Sequence, residues 1–247
     1  MLTFPFPSYN AEPPIDPSLW DNTTVMAPPP DDTATQFTMA PCTCLSLMYL
    51  TLTELQSIPS FAFPQVIVPL RRAMDTLFQL INCPECPKDN FAAIQNTSSI
   101  VALCKALVER FQQVLRGIDA EAERLEHSGR KKPYRIGDMN PELQHLHTGT
   151  PECPMGFNIE MEPKDWKRLA KMALKTEIHG RGSNPRPLLQ LLSDAEERQK
   201  RWHEDKEYHC AERRHLFGER HTDDPRKNCE ALGAEHIRRF IGNLNWE

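Results

Sequence analysis

The first forty residues contain no lysine or arginine, although five acidic residues lie among them. They account for the whole net charge of −5, because basic and acidic residues balance and interleave over the rest of the chain. That balance does not form the one-sided basic surface typical of nucleic-acid binding. An uninterrupted apolar run of the roughly 18 to 20 residues needed to cross a bilayer is also absent. The N-terminus lacks the basic and apolar regions of a secretory signal. We therefore expect an intracellular protein that contacts no membrane.

The motifs of common enzyme classes are missing as well. The sequence has no Gly-rich phosphate loop, no nucleophile elbow and no paired carboxylate motif. A cysteine–histidine pair is the remaining catalytic alternative, because such partners need not be near each other in sequence. We predict that the chain is not an enzyme.

Proline is abundant, at 22 residues, yet none lies between Pro87 and Pro133. Within that window apolar residues recur at three positions of each heptad, which predicts one long amphipathic helix from Asp89 to Gly129. The three rows are Ile94, Val101, Val108, Leu115 and Ala122; Cys104, Phe111, Ile118 and Leu125; and Ile100, Leu107 and Val114. Three apolar positions per heptad favour an internal bundle helix, although a homodimer seam is the alternative.

Amphipathic patterns predict further helices on either side. They cover Cys42 to Ser57, the stretch from about Pro69, Pro163 to Gly180, the stretch after Asn184, and Cys229 to Ile241. We expect the first to be buried on most sides, the fourth to project from the core beyond Glu196, and the last to be weakly attached. A connector between Gly129 and Met161, with a helical turn at Pro141 to His147, should pack against the bundle.

These patterns predict an all-α fold, an irregular helical bundle around one long central helix. Residues 1–40 form a disordered acidic Pro-rich arm, residues 41–205 a helical domain, and residues 206–247 a charged, partly ordered extension with a last helix. Aromatic residues scattered through the acidic arm are typical of activation segments, and a plain solvated tail is the alternative.

Cys83 and Cys86 have the spacing of half a zinc site, which His145, His147 and Cys153 would complete. Ordinary buried thiols are the alternative that we favour, because cysteine is often buried for packing alone. We expect Cys42 and Cys44 to be worse ligands still, because side chains two residues apart on a helix diverge.

The remaining polar clusters indicate a solvated surface. The histidines at 203, 209, 215 and 221 lie in a charged segment, where exposed side chains are expected. Basic residues between Arg198 and Arg214 alternate with acidic ones, which is typical of a solvated helix rather than a phosphate-binding stripe. The run Arg130-Lys131-Lys132 is too short to identify a nuclear signal.

Three stretches resemble a known family. Residues 42–50, the Cys83-Pro84-Glu85-Cys86 turn, and residues 146–157 leading into Trp166 are similar to the region after the DNA-binding domain in fungal binuclear zinc-cluster (Zn2Cys6) transcription factors, of the aflatoxin-regulator-like group. The resemblance covers roughly residues 40 to 205. The family's six-cysteine zinc cluster has no counterpart here, so none of its ligands is carried over.

The resemblance implies a regulatory and activation region of a transcription factor that controls secondary-metabolite gene clusters. Its partners would be proteins of the transcription machinery or a co-regulator, its location the nucleus, and DNA a partner only if a zinc-cluster domain is present upstream. No cofactor is expected in this chain, since zinc belongs to the family's DNA-binding domain. The chain would then be a truncated gene model, a fragment or a paralogue without that domain. The alternative is a standalone helical interaction or ligand-binding module.

Overall fold

The central helix, α3, spans Asn90–Ser128 in the computed structural model, which describes residues 42–137, 141–148, 152–204 and 231–247. The Asp89 side chain caps its start by accepting a hydrogen bond from the backbone N–H of Ala92 at 2.7 Å. Gly129 ends it in the left-handed conformation, with φ of 60°, which favours glycine. The predicted bounds of the long helix are therefore confirmed.

Two of the three predicted apolar rows of α3 are buried throughout, and the third is buried only in part. Every residue of the Cys104 and Ile100 rows lies in the core. In the third row Ile94 is exposed and Val101 is half-buried against the core, so this row is fully buried only from Val108 onward. At the start of the helix other residues are buried instead, namely Ala93, Asn96, Thr97 and Ser99.

Helices α1 (Cys44–Gln56) and α2 (Ile67–Ile81) pack against each other and against α3. Pro69 lies in the first turn of α2, where its missing N–H has no helical partner to lose. The expectation that α1 is buried on most sides is wrong. Tyr49 and Leu50 are 61% and 65% exposed, because the neighbours of α1 cover only the face of Met48 and Leu55.

A two-stranded antiparallel ribbon follows α3 and was not predicted. Strand β1 (Lys132–Gly137) pairs with β2 (Gly156–Met161). The two strands are mostly exposed, so no clean alternation of apolar residues marks them in the sequence. Tyr134 and Met161 nevertheless pack against the core, as expected for the connector. A 3₁₀ helix at Pro141–Leu146 matches the predicted helical turn.

The chain then returns to the core through α4 (Pro163–His179) and α5 (Leu188–Glu204). The expectation that α5 projects beyond Glu196 is wrong, since Arg198, Gln199 and Trp202 are all buried. Arg198 is charged, yet only 5% of it is exposed. Alternating charge in the sequence therefore did not indicate a uniformly solvated helix.

A last helix, α6, spans Ala234–Gly242 and packs on α3 and α5. Ile237 and Ile241 lie in the same core as the other helices, so its attachment is not weak. The described chain thus has the predicted all-α architecture of an irregular bundle around one long helix, with one small ribbon added. The predicted acidic arm, residues 1–40, lies outside the described residues, and so does most of the charged extension.

Helix α3 is long and apolar enough to cross a membrane, judged by length and composition. One 18-residue stretch of it has a mean hydropathy of 1.4. Half of that stretch is buried inside the protein, as in the core helix of a bundle. The absence of membrane contact stays a prediction.

Candidate metal centre

Cys42 and Cys44 lie at the start of α1, but only Cys44 belongs to the helix. Cys42 precedes the helix, whose first backbone bond runs from Leu47 N–H to Thr43 O at 3.0 Å. The backbone N–H of Cys44 donates to the Cys42 sulfur at 3.4 Å, which holds the Cys42 side chain near the helix start. The prediction that these two side chains diverge is wrong, because Cys42 lies before the helix and not on it.

Cys83 and Cys86 lie in the turn between α2 and α3. Helix α2 ends at Ile81, and a 3₁₀ turn begins at Cys86 and closes with a backbone bond from Lys88 N–H to Glu85 O at 3.1 Å. Prolines at 84 and 87 restrict the backbone on both sides of this turn. A short turn of this kind brings two thiols with two residues between them to the same side.

The fold joins these two pairs into one cluster. The Cys42 sulfur lies 3.5 Å from that of Cys83 and 3.2 Å from that of Cys86. All four sulfur atoms, including that of Cys44, lie within 4.8 Å of one another. The cysteines are not joined as disulfides. Such a set of four thiols has the ligand type and number of a structural zinc site.

The cluster is largely shielded from solvent. Cys44 and Cys86 are buried at 8% and 2% exposure, while Cys42 and Cys83 are half-buried against the core. Burial, together with hydrogen bonds to Cys42 and Cys83, raises the pKa of the Cys44 thiol to about 12. Burial also raises the pKa of Cys86. Neutral thiols are therefore favoured at these two positions when no cation compensates their charge.

Cys83 behaves differently from its neighbours. Burial acts to raise its pKa, but backbone hydrogen bonds from Cys86 and Glu85 outweigh it and lower the pKa to about 7. A sulfur that accepts backbone N–H bonds is stabilised as thiolate. The Cys-Pro-Glu-Cys turn thus prepares one ligand in the form that binds metal.

The structure does not bring the other predicted ligands into this cluster, which consists of the four cysteines. Cys153 instead lies beside His147, with 3.7 Å between its sulfur and Nδ1, and His145 is exposed. A hydrogen bond from the backbone of Thr148 is the main cause that lowers the pKa of Cys153 to about 7. Among the described residues, the side chains that meet Cys83 and Cys86 are therefore those of Cys42 and Cys44 rather than the three that we predicted.

Of the four histidines between 203 and 221, only His203 is among the described residues, and it is half-buried rather than fully exposed. The residues at 209, 215 and 221 lie outside the described residues.

Arg198 reaches from α5 to the end of α2, immediately before the cysteine turn. Its Nη1 donates to Asn96 Oδ1 at 2.7 Å and to the carbonyl oxygens of Leu80 and Ile81 at 3.2 Å each. Its guanidinium also stacks on the Trp202 ring, 4.2 Å from the ring centre. A cation at a helix C-terminus satisfies carbonyls that have no helical partner. Sequence reasoning missed this role, because Arg198 lies in a run of alternating charge.

The chain is similar in sequence to fungal transcription factors. It is 28% identical over 172 residues to the transcription factor rglT of Aspergillus fumigatus, which covers 66% of this chain and 37% of that protein. It is 26% identical over 170 residues to rglT of Emericella nidulans, covering 68% of this chain and 38% of the relative. The chain thus spans well under half the length of these relatives.

No protein-family model matches the chain, and no solved structure matches it. The similarity supports a relationship to fungal transcription factors, as the sequence resemblance implied. The assignment to the binuclear zinc-cluster group stays a prediction.

Proposed function

We propose that this chain is a regulatory and activation region of a fungal transcription factor and acts through protein–protein contacts in the nucleus. The observation that carries the proposal is the similarity to rglT, which extends over about two thirds of the chain. The resemblance to the aflatoxin-regulator-like group supports a role in secondary-metabolite gene clusters. An enzymatic activity is not proposed, because these relatives are transcription factors.

Two parts of the chain are candidates for the protein contacts. The first is the acidic arm, residues 1–40, whose aromatic residues among carboxylates have the composition of activation segments. The second is a set of exposed apolar side chains, Tyr49 and Leu50 on α1 and Phe91 at the start of α3. Large apolar side chains left in solvent are frequent at protein-binding surfaces when they are grouped. DNA contact is proposed only for a protein that carries a zinc-cluster domain upstream.

Tethering the full chain to an unrelated DNA-binding domain, with a reporter gene in a fungal host, tests this activity. We expect the fusion to increase reporter transcription. Deleting residues 1–40, or replacing Tyr49 and Leu50 by glutamate, should reduce the increase. Met172→Glu on α4 is the matched control, since Met172 is 63% exposed and no role is proposed for it. A well-expressed nuclear fusion that leaves transcription unchanged would contradict the proposal.

The location and target class need separate measurements. A fluorescent tag at the C-terminus should show the full-length protein in the nucleus. Transcript profiling of a gene-deletion strain should show reduced expression of a contiguous secondary-metabolite cluster. A cytoplasmic protein whose deletion alters no cluster would favour the alternative, a standalone helical interaction module.

A further inference from the structure

We propose that Cys42, Cys44, Cys83 and Cys86 bind one structural Zn²⁺ ion through four thiolate bonds. This inference does not depend on the role in transcription, and it concerns cysteines outside the six-cysteine cluster of the resembled family. The ligand pattern is Cys-X-Cys at the start of α1 and Cys-X2-Cys in the turn before α3. Zinc would close a loop that runs from one pair to the other.

The distances fit a single tetrahedral ion. A Zn–S bond of about 2.3 Å requires the four sulfur atoms to lie about 3.8 Å apart in a regular tetrahedron. The sulfur atoms of Cys42 and Cys86 lie 3.2 Å apart, and all the sulfur–sulfur separations fall within 4.8 Å. A shift of at most about half an ångström at each sulfur would bring the set to this geometry.

Two other uses of four close thiols fit less well. A disulfide needs sulfur atoms about 2.05 Å apart, whereas Cys42 lies 3.2 and 3.5 Å from its nearest partners. An iron–sulfur cluster also uses four cysteines, but it places several metal and sulfide atoms between the thiolates and separates them further. The observed spacing leaves room for one ion among the four sulfur atoms.

The surroundings suit a charged centre that is partly enclosed. Four thiolates and one Zn²⁺ carry a net charge of −2, which needs compensation when it is shielded from water. The pocket beside Cys83 is lined by Arg198 and Arg201, which supply positive charge on that side. Backbone N–H groups are a second source of compensation, and that of Cys44 already donates to the Cys42 sulfur.

Zinc binding would restrain how the first three helices move relative to one another. Zinc would fasten the start of α1 to the connection between α2 and α3, so the three helices would be cross-linked at one end. The binding free energy of a structural site contributes to folding, because the unfolded chain has no preformed site. Metal removal should therefore loosen α1 more than the distant helix α4.

Elemental analysis of the full chain is the first test. The protein is purified without a histidine tag, under reducing conditions and without chelator. We expect about one zinc per chain and no iron. Cobalt(II) added to the metal-free protein should give the visible absorption of a tetrahedral thiolate site. Protein that lacks zinc and gives no such spectrum, or that holds iron instead, would overturn the proposal.

Thiol alkylation read by mass spectrometry assigns the ligands in the unmodified chain. Zinc should protect the four cluster cysteines from alkylation, and a strong chelator should expose them together. Cys153, which is also shielded from solvent, is the internal control, because its labelling rate should not depend on zinc. Chelator-independent labelling of the four cysteines would contradict zinc binding even if metal is present elsewhere.

Single substitutions complete the test. Cys42→Ser is chosen because Cys42 is half-buried, so that its replacement disturbs packing little. It should lower zinc content at least tenfold after dialysis against a weak chelator, whereas Cys153→Ser should retain about one zinc per chain. Hydrogen exchange should show faster exchange over α1 in the Cys42 variant. Full zinc retention by Cys42→Ser would remove Cys42 from the ligand set and refute the four-thiolate site.

Discussion

The sulfur atoms of Cys42 and Cys86 lie 3.2 Å apart although 44 residues separate them in the chain. One thiol precedes the first helix and the other follows the second, so their meeting depends on the antiparallel packing of α1 and α2 over α3. The same packing brings Cys44 and Cys83 into the group. Four thiols are thereby brought together where the sequence shows two separate cysteine pairs.

Replacing Arg198 by methionine should destabilise the fold by about 3 kcal/mol. The change removes charged hydrogen bonds to Asn96 and to the carbonyl oxygens of Leu80 and Ile81, and it leaves these groups buried. Urea unfolding followed by circular dichroism measures the difference. Lys200→Met on the same helix is the control and should change stability by less than about 0.5 kcal/mol, since Lys200 is exposed. Equal effects of the two substitutions would show that the buried contacts contribute nothing specific.

Arg71→Met should cost about 3 to 5 kcal/mol because it leaves the carboxylate of Glu177 buried without a partner. The two side chains form a two-bond ion pair between α2 and α4, at 2.9 and 2.5 Å, and Glu177 is only 4% exposed. The double variant Arg71→Met with Glu177→Met should recover most of the loss, because both charges are gone. Chemical denaturation of all four species gives the coupling free energy.

The exposed pair Arg168–Asp165 provides the contrast on α4, with nitrogen and oxygen 3.8 Å apart. Arg168→Met should change the free energy of unfolding by no more than about 0.5 kcal/mol. Strictly additive effects of the Arg71 and Glu177 substitutions would show that this partly buried pair is not coupled.

Glu121 should make the protein sensitive to acid. Its hydrogen bonds with Arg124 and Lys132 lower its pKa from 4.5 to about 2. A carboxylate with a lowered folded-state pKa stabilises the fold above its unfolded pKa, and this contribution disappears as the pH falls through the folded value. The stability difference between wild type and Glu121→Gln should therefore be full above about pH 5 and vanish near pH 2.

The size of that difference at neutral pH should be about 1 kcal/mol, because the group is partly exposed and solvent screens its partners. Thermal unfolding at a series of pH values measures it. Glu123 lies two residues further along α3 and is exposed. The substitution Glu123→Gln should therefore show no such pH-dependent difference. A Glu121 variant that differs from wild type equally at all pH values would contradict the assignment.

Phe111→Ala should destabilise the protein by about 3 to 5 kcal/mol, since the ring is fully buried in the middle of α3 and its loss leaves a cavity. Phe91→Ala is the same substitution on the same helix, but Phe91 is 72% exposed and should cost little. Guanidinium unfolding distinguishes them. Comparable losses at the two positions would mean that the α3 face is not the core of the bundle.

The central helix is the feature that sequence reasoning predicted best. Its bounds followed from the absence of proline, the capping Asp89 and the closing Gly129, all of which act locally. Its buried face followed from the heptad spacing, except at Ile94, which is exposed although it continues the pattern. Periodicity indicates which residues share a face, but only the neighbours determine where that face is covered.

Local sequence patterns did not predict the β1–β2 ribbon or the burial of α5 beyond Glu196. Strands β1 and β2 are mostly exposed, so their side chains lack the alternation that burial of one face produces. Arg198 is charged and lies among charges, and nothing near it in sequence indicates the carbonyl groups that it binds.

The amino-acid sequence by itself determined the helices, their caps and the spacing of each cysteine pair, because these depend on contacts within a few residues. The tertiary structure alone decided that Cys42 and Cys44 face Cys83 and Cys86, with all four sulfur atoms within 4.8 Å. A four-ligand site needs two distant segments at a fixed separation, and that separation is set by the packing of α1, α2 and α3 rather than by any local preference of the chain.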